Sequence, residues 1–450
     1  MAIRKRTMLS LLALLMMTSA CTGNEAEPGA AEVPEQGGEK TASLNVDKPV
    51  ELTVYYMFSG LGREGFMNEI GNLIVKKQPN ISFKFLENEQ GGNLAGLQYL
   101  LTTKQEVDLI LGTPPVFSDI SEAGLDANID DLVRNYRYDL GALDSEVLSV
   151  LYAAGNGKLP GLPLKTIPLT ILYNRDIFDK FGVDYLKDGM TWDEYYNVVR
   201  RITREDGGVT YKGFANHQMG GYTSNNQLSL PLIDPKTNKA ALDTGGWKTY
   251  LENILRFYQI PGIATNADDL KASSGAGAYT KFTKEQSVAS ILTYASNYPK
   301  KSAGIEMNWD AVQYPQFPQA PDTGSMPHMV FMALSATSKH KEEAFKAMAA
   351  MTSEEVQLSL ARIGVIPVLK NQQKVLEVFG TGTEDLKGRN VKGLIPRKYA
   401  AAVPYSKHTQ MANGVLGGKL DSVILGSIDL NTALREAAEQ VNQEIVKLSQ

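Results

Sequence analysis

A chain of 450 residues, 43% hydrophobic and 21% charged, is long enough to bury the cores of two ordinary domains. Its formal net charge of −5, with no dense Lys/Arg block, argues against nucleic acid as a partner. The single cysteine, Cys21, excludes an internal disulfide, and no apolar run after Met17 is long enough to cross a bilayer.

The chain opens with Arg4, Lys5 and Arg6, followed by an apolar run from Met8 to Met17 that contains one Ser. A basic start and a short apolar run make an export signal. Thr18, Ser19 and Ala20 then lead into Cys21, which resembles a bacterial lipobox whose Cys is lipidated and becomes the mature N-terminus. Thr18 departs from the Leu such sites prefer three residues before the Cys. The other reading is a soluble secreted protein with an incidental Cys. Residues 22–43 hold five Glu, four Gly and two Pro, with Val33 the one larger apolar residue. Such a stretch buries too little to offset its ordering entropy and is expected to be a flexible tether, spanning roughly 25 Å. Removing the leader's three positive charges takes the mature chain to −8.

Residues 51–58, ELTVYYMF, read as a buried strand, and Phe66, Met67, Ile70, Leu73 and Ile74 follow on one helical face, ending before Pro79. Ile81, Phe83 and Phe85 alternate as a second strand. A short helix and a strand over 107–111 complete a β-α-β-α-β order, which predicts a parallel sheet covered by helices. Ligands of open sheets sit beyond the carboxyl ends of the strands, here Phe58 and Ser59, residues 87–89, and residues 113–116.

Residues 157–196 contain a Gly/Pro turn, an extended run over 162–173, a helix from about Asn174 and a capping box formed by Thr191 and Glu194. Gly157-Lys158, Gly161-Leu162-Pro163, Leu172-Tyr173-Asn174-Arg175-Asp176-Ile177-Phe178, Gly182 and Thr191-Trp192-Asp193-Glu194 occur in that order. The segment resembles the lobe crossing of extracellular solute-binding proteins of family 1, the maltose-binding-protein-like carbohydrate receptors of ABC importers. Residues 322–369 resemble the family's return crossing, with a strand ending at Leu334 and Ser335, a helix burying Ala344, Phe345, Met348 and Met351, a Thr352/Glu355 capping box, and Gly364-Val365-Ile366-Pro367. A closing helix with Leu430, Leu434, Ala438, Val441 and Ile445 in one stripe extends the resemblance over nearly the whole mature chain. Where family members place a Trp after the strand at 288–294, this chain has Tyr294 and Tyr298.

The resemblance implies an α/β, two-lobe, type II periplasmic-binding-protein-like fold with a multi-crossing hinge. The expected division is a lipoprotein signal peptide at 1–20, a lipidated Cys and linker at 21–47, an N-terminal lobe at 48–160 and 326–365, and a C-terminal lobe at 161–325 and 366–450. It further implies a monomer lipid-anchored through Cys21 at the extracellular face of a Gram-positive-type cell membrane. In that setting it would bind a small solute, a sugar and in particular an oligosaccharide, and deliver it to ABC permease subunits, using no cofactor or metal.

A sugar presents an apolar face of C–H groups and a rim of hydroxyls, so a site for one needs aromatic rings and a few well-placed polar groups. The aromatic candidates are Phe58, Tyr222, Tyr294 and Tyr405; the polar ones are Ser59, Glu87, Thr113, Lys165, Asn216 and Asp322. Phe58 suits core packing as well as a cleft wall, Glu87 a solvated loop, and Lys165 a water-facing position beside the hinge. Tyr222 lies in a polar stretch, 217–226, where a large ring has less structural reason to be, whereas Tyr173, Trp192, and Trp247 with Leu251, Ile254, Leu255 and Tyr258 read as core. No H-E-x-x-H, Walker or G-x-S-x-G motif is present, and His217, His328, His340 and His408 have no metal-ligand spacing. A binding protein is what the resemblance implies, and no catalytic motif speaks against it. The alternatives are a receptor of the same fold for a non-sugar solute, one feeding a sensor kinase, and a secreted glycoside hydrolase with two distant carboxylates.

Overall fold

The computed structural model describes residues 48–448, so the expected signal peptide, the lipidation site at Cys21 and the linker lie outside the described residues. Strands β1 (Val50–Tyr56), β2 (Ile81–Glu87) and β3 (Leu109–Gly112) run parallel, with Val50 opposite Ile81 and Tyr56 opposite both Glu87 and Leu111. Leu52 to Tyr55 are buried in succession, as in a central strand covered on both faces. The helix between β1 and β2 buries Phe66, Ile70 and Ile74 as the periodicity predicts. It runs as Gly62–Phe66, Met67–Gly71 and Asn72–Lys77, and its middle segment is a π-turn that the 3.6-residue reading did not anticipate.

The extended run at 162–173 is two strands, β4 (Gly161–Thr166) and β5 (Leu169–Asn174), separated by Ile167 and Pro168. The other main strands are β6 (Ala215–Asn216), β7 (Ser290–Tyr294), β8 (Trp309–Val312) and β9 (Met329–Leu334). One sheet has the order β2-β1-β3-β9-β4 and the second β8-β5-β7-β6. In the second sheet Leu172, Ile291 and Ala311 enter one core cluster, while Ile171, Leu292 and Val312 enter the other. That is the two-residue alternation of a sheet buried on both faces.

The sheet pairing differs from the expected division at 160/161. β4 pairs antiparallel with β9 in the first sheet, so the chain leaves that sheet at Ile167. Gly161 permits the close approach, since a Cβ there would collide with the Met332 backbone oxygen. The Thr352/Glu355 capping box does not form. The helix Glu354–Arg362 has Ser353 at its N-cap, Thr352 turns its hydroxyl to the Met348 carbonyl, and Glu355 pairs with Lys77. The Thr191/Glu194 box does form: Thr191 Oγ1 accepts from the Glu194 N–H, and Glu194 Oε2 accepts from the Thr191 N–H at 2.8 Å.

Three segments crossing between the sheets are bonded side by side. The Ile167 N–H donates to the His328 carbonyl at 2.7 Å and the Leu169 N–H to Ser325 Oγ at 3.2 Å. The Gly324 N–H donates to the Lys398 carbonyl at 2.8 Å, and the Tyr399 hydroxyl to Thr166 Oγ1 at 2.8 Å. Residues 166–169, 323–328 and 398–400 thus form a three-segment hinge joining the two lobes.

Candidate functional site

A chamber of about 240 Å³ lies against this hinge. The first lobe contributes Pro114 and Pro115, just past the carboxyl end of β3, and Val150 from the helix Ser145–Ala154. The second contributes the helix Met219–Ser224 with Asn225, and Tyr294 at the end of β7. Met326, Pro327 and His328 of the second crossing, Val403, Pro404 and Tyr405 just after the third, Leu230 and Leu232, and Thr409, Gln410 and Asn413 of the helix Thr409–Ile424 complete the wall. β3 delivers its prolines here because Thr113 is extended and Pro114 opens a 3₁₀ turn, with the Thr113 carbonyl accepting from Val116 at 3.0 Å.

Tyr294 and His328 stack with ring centroids 5.1 Å apart and planes 16° from parallel. Desolvation lowers the His328 imidazole from 6.5 to about 4, so the ring is neutral at physiological pH. The Tyr294 phenol is raised to about 12, chiefly by burial, and its oxygen accepts from Asn225 Nδ2 at 3.3 Å. Tyr405 is half-buried and raised by burial and by the charge of Asp119. A larger hollow of about 640 Å³ shares Tyr405 and continues past Phe117, Asp119, Glu122, Asn156 and Lys407. Burial and the neighbouring Glu122 hold the Asp119 carboxyl above its ordinary value.

Of the residues singled out from the sequence, the chamber brings together Tyr294 and Tyr405. Thr113 adjoins it through Pro114, and the other expected positions lie elsewhere. Phe58 packs edge-on against Tyr56 at 5.5 Å, and Ser59 is exposed. Glu87 accepts from the Gly62 N–H at 2.6 Å and lines a hollow in the first lobe with Arg63 and Glu89. Lys165 is paired with Glu69 beside a small crevice. Asn216 is wholly buried and accepts from the Gln218 N–H at 2.9 Å, and Asp322 is bound to Arg397 at 2.6 Å on the surface.

The expectation of a ligand contact at Tyr222 is corrected. Its ring is fully buried, stacks on Tyr250 at 4.3 Å, and its hydroxyl donates to the Tyr250 carbonyl at 2.9 Å. A polar stretch concealed a helix whose inner face needs that ring. Asn225, His328 and Gln410 were missed. The one signal for His328 was a polar ring inside the apolar run MPHMVF, and for Asn225 and Gln410 there was none.

The model of the family "bacterial extracellular solute-binding protein" matches residues 63–358. No curated protein sequence matches significantly. Among solved structures, a Rhizobium etli sugar transporter in an open conformation is 19% identical, covers 87% of this chain and 99% of its own, and superposes with a TM-score of 0.66. The Listeria monocytogenes ABC substrate-binding protein in complex with cycloalternan is 17% identical, with 89% and 99% covered and a TM-score of 0.67. UgpB of Mycobacterium tuberculosis, in complex with glycerophosphocholine, is 14% identical, with 89% and 99% covered and a TM-score of 0.68. At these identities the likeness is one of fold.

Proposed function

Because this chain belongs to the bacterial extracellular solute-binding protein family, we propose that it captures a carbohydrate of oligosaccharide size between its lobes and passes it, unaltered, to the permease of an ABC importer. The observation that carries this reading is a chamber walled by both lobes and by the hinge, with an aromatic platform at Tyr294 and His328. A ligand touching both lobes favours the closed arrangement by its differential affinity for it, and the short hinge segments limit the motion to a rotation of one lobe against the other. The second hollow beyond Tyr405 gives a chain of sugars somewhere to continue, and its polar wall suits hydroxyls that the inner chamber does not meet.

The chain is further proposed to work as a monomer lipid-anchored through Cys21 at the extracellular face of the membrane, with residues 22–43 as tether. Among the described residues no helix is long and apolar enough to span a bilayer, and no group of three His, Cys, Asp or Glu converges on a metal-sized site. Catalysis is not part of the proposal.

Titration calorimetry against a panel of neutral oligosaccharides, with small-angle scattering at saturation and chromatography of the recovered ligand, tests the reading. Saturable heat, a smaller radius of gyration and an intact ligand are expected. A ligand that saturates the protein without compaction, or is cleaved, overturns it.

A further inference from the structure

The inner chamber has no Asp, Glu, Lys or Arg in its wall. Its one titratable base, His328, is held neutral by burial. Several of its polar side chains are already used by the fold. Ser224 Oγ donates to the Gly220 carbonyl at 2.8 Å, and Asn413 donates to the same carbonyl at 3.1 Å while accepting from Thr223. Thr409 Oγ1 accepts from the Ser406 N–H at 3.2 Å. Wholly uncommitted among the described residues are Asn225 Oδ1, the Tyr294 O–H, the ring nitrogens of His328, the Tyr405 hydroxyl and the Gln410 amide, while the Thr409 hydroxyl keeps its proton and Ser224 Oγ its lone pairs; every one of these groups is uncharged. Between them stand Pro114, Val150, Leu232, Met326, Pro327 and Val403.

We infer that the sugar unit held in this chamber is uncharged and poor in hydroxyls, a 6-deoxy, O-methyl or anhydro unit, with any fully hydroxylated or charged remainder lying beyond Tyr405. The inference rests on the solute-binding reading of the chamber and deepens it. A charged group moved from water into a wall with no counter-charge loses hydration without replacement, and each hydroxyl facing Pro114, Leu232 or Met326 loses a hydrogen bond to water. A methyl group in the same place gains by burial. The chamber volume, below the roughly 300–1,000 Å³ of whole-ligand sites, suits a single ring. Lys165, the cation that would have served an acidic sugar, is bound to Glu69 and does not line the chamber.

The test is calorimetry of the full chain, the Tyr294→Ala variant and the Gln410→Arg variant against four probes: an L-rhamnose-containing disaccharide, its fully hydroxylated parent, the corresponding uronate and glycerophosphocholine. The 6-deoxy probe should bind at least tenfold tighter than its parent, with neither charged probe detectable, and should lose at least tenfold in Tyr294→Ala. Gln410→Arg, which adds a cation at an exposed wall position, should bring the uronate into the measurable range and weaken the 6-deoxy probe. If the uronate or glycerophosphocholine binds the unaltered chain as tightly as the 6-deoxy probe and loses its heat in Tyr294→Ala, the inference is overturned while solute binding stands. If a folded chain gives no saturable heat with any of these probes or with the neutral oligosaccharide panel, the carbohydrate reading falls and takes the inference with it.

Discussion

Tyr294 and His328 lie 5.1 Å apart, ring over ring, although one ends a strand of the second sheet and the other precedes a strand of the first. The stack therefore spans the hinge. The Ile167 N–H, on the neighbouring crossing, donates to the His328 carbonyl at 2.7 Å, so the imidazole is placed by the backbone that joins the lobes.

Removing this platform should act on binding before stability. Tyr294→Ala is expected to weaken ligand binding by about 10- to 100-fold, since an aromatic contact and its buried area are lost together. Tyr294→Phe, which removes one hydroxyl, should cost about tenfold or less. Calorimetry on variants with unchanged melting temperatures reads this directly.

Acid should destabilise the protein through the same residue. His328 falls from 6.5 in the unfolded chain to about 4 in the folded one because burial disfavours the imidazolium. The unfolded state therefore binds more protons between these values, so the contribution is present above pH 6.5 and is lost as pH falls towards 4, on the order of 3 kcal/mol at most. Urea unfolding at pH 7 and pH 4.5 should show a smaller acid loss in His328→Phe, which keeps a flat ring over Tyr294.

The fully buried Tyr222 gives the opposite signature. Tyr222→Phe removes the hydrogen bond to the Tyr250 carbonyl and leaves that acceptor buried, at a cost of about 1–3 kcal/mol in denaturant unfolding. Ligand affinity should be unchanged. A large affinity loss with normal stability would contradict its place in the core.

Gly161→Ala should be among the most damaging small substitutions. The added methyl meets the Met332 backbone, which cannot retreat without opening the pairing of β4 with β9, so poor folding or a loss above about 3 kcal/mol is expected. Gly157→Ala, four residues earlier, has open space around its Cβ and only a left-handed backbone (φ +86°) to strain it, and about 1–2 kcal/mol is expected. Comparing the two variants by denaturant unfolding separates collision from backbone strain.

Thr191→Ala removes the hydroxyl that accepts from the Glu194 N–H in the capping box, and about 1 kcal/mol of stability should go with it. Binding should not change, because the helix it starts, Trp192–Ile202, faces the core of the second lobe.

What local sequence could determine, it determined: the parallel opening of the first sheet, the buried stripes with Phe66, Ile70 and Ile74 or Leu434, Val441 and Ile445, and the Thr191 cap all follow from periodicity and short-range hydrogen bonding. The Thr352/Glu355 pair had the same spacing and failed, because the Met348 carbonyl, one turn back in the preceding helix, takes the Thr352 hydroxyl, and Lys77, reached only after folding, takes Glu355. The chamber belongs to the tertiary structure throughout. Pro114, Asn225, His328 and Tyr405 are up to 291 positions apart in a chain of 450 and converge only where three crossings lie side by side. Whether a polar side chain there is free for a ligand or already held by a backbone carbonyl, as with Asn413 on Gly220, is set by distances that no one-dimensional pattern encodes.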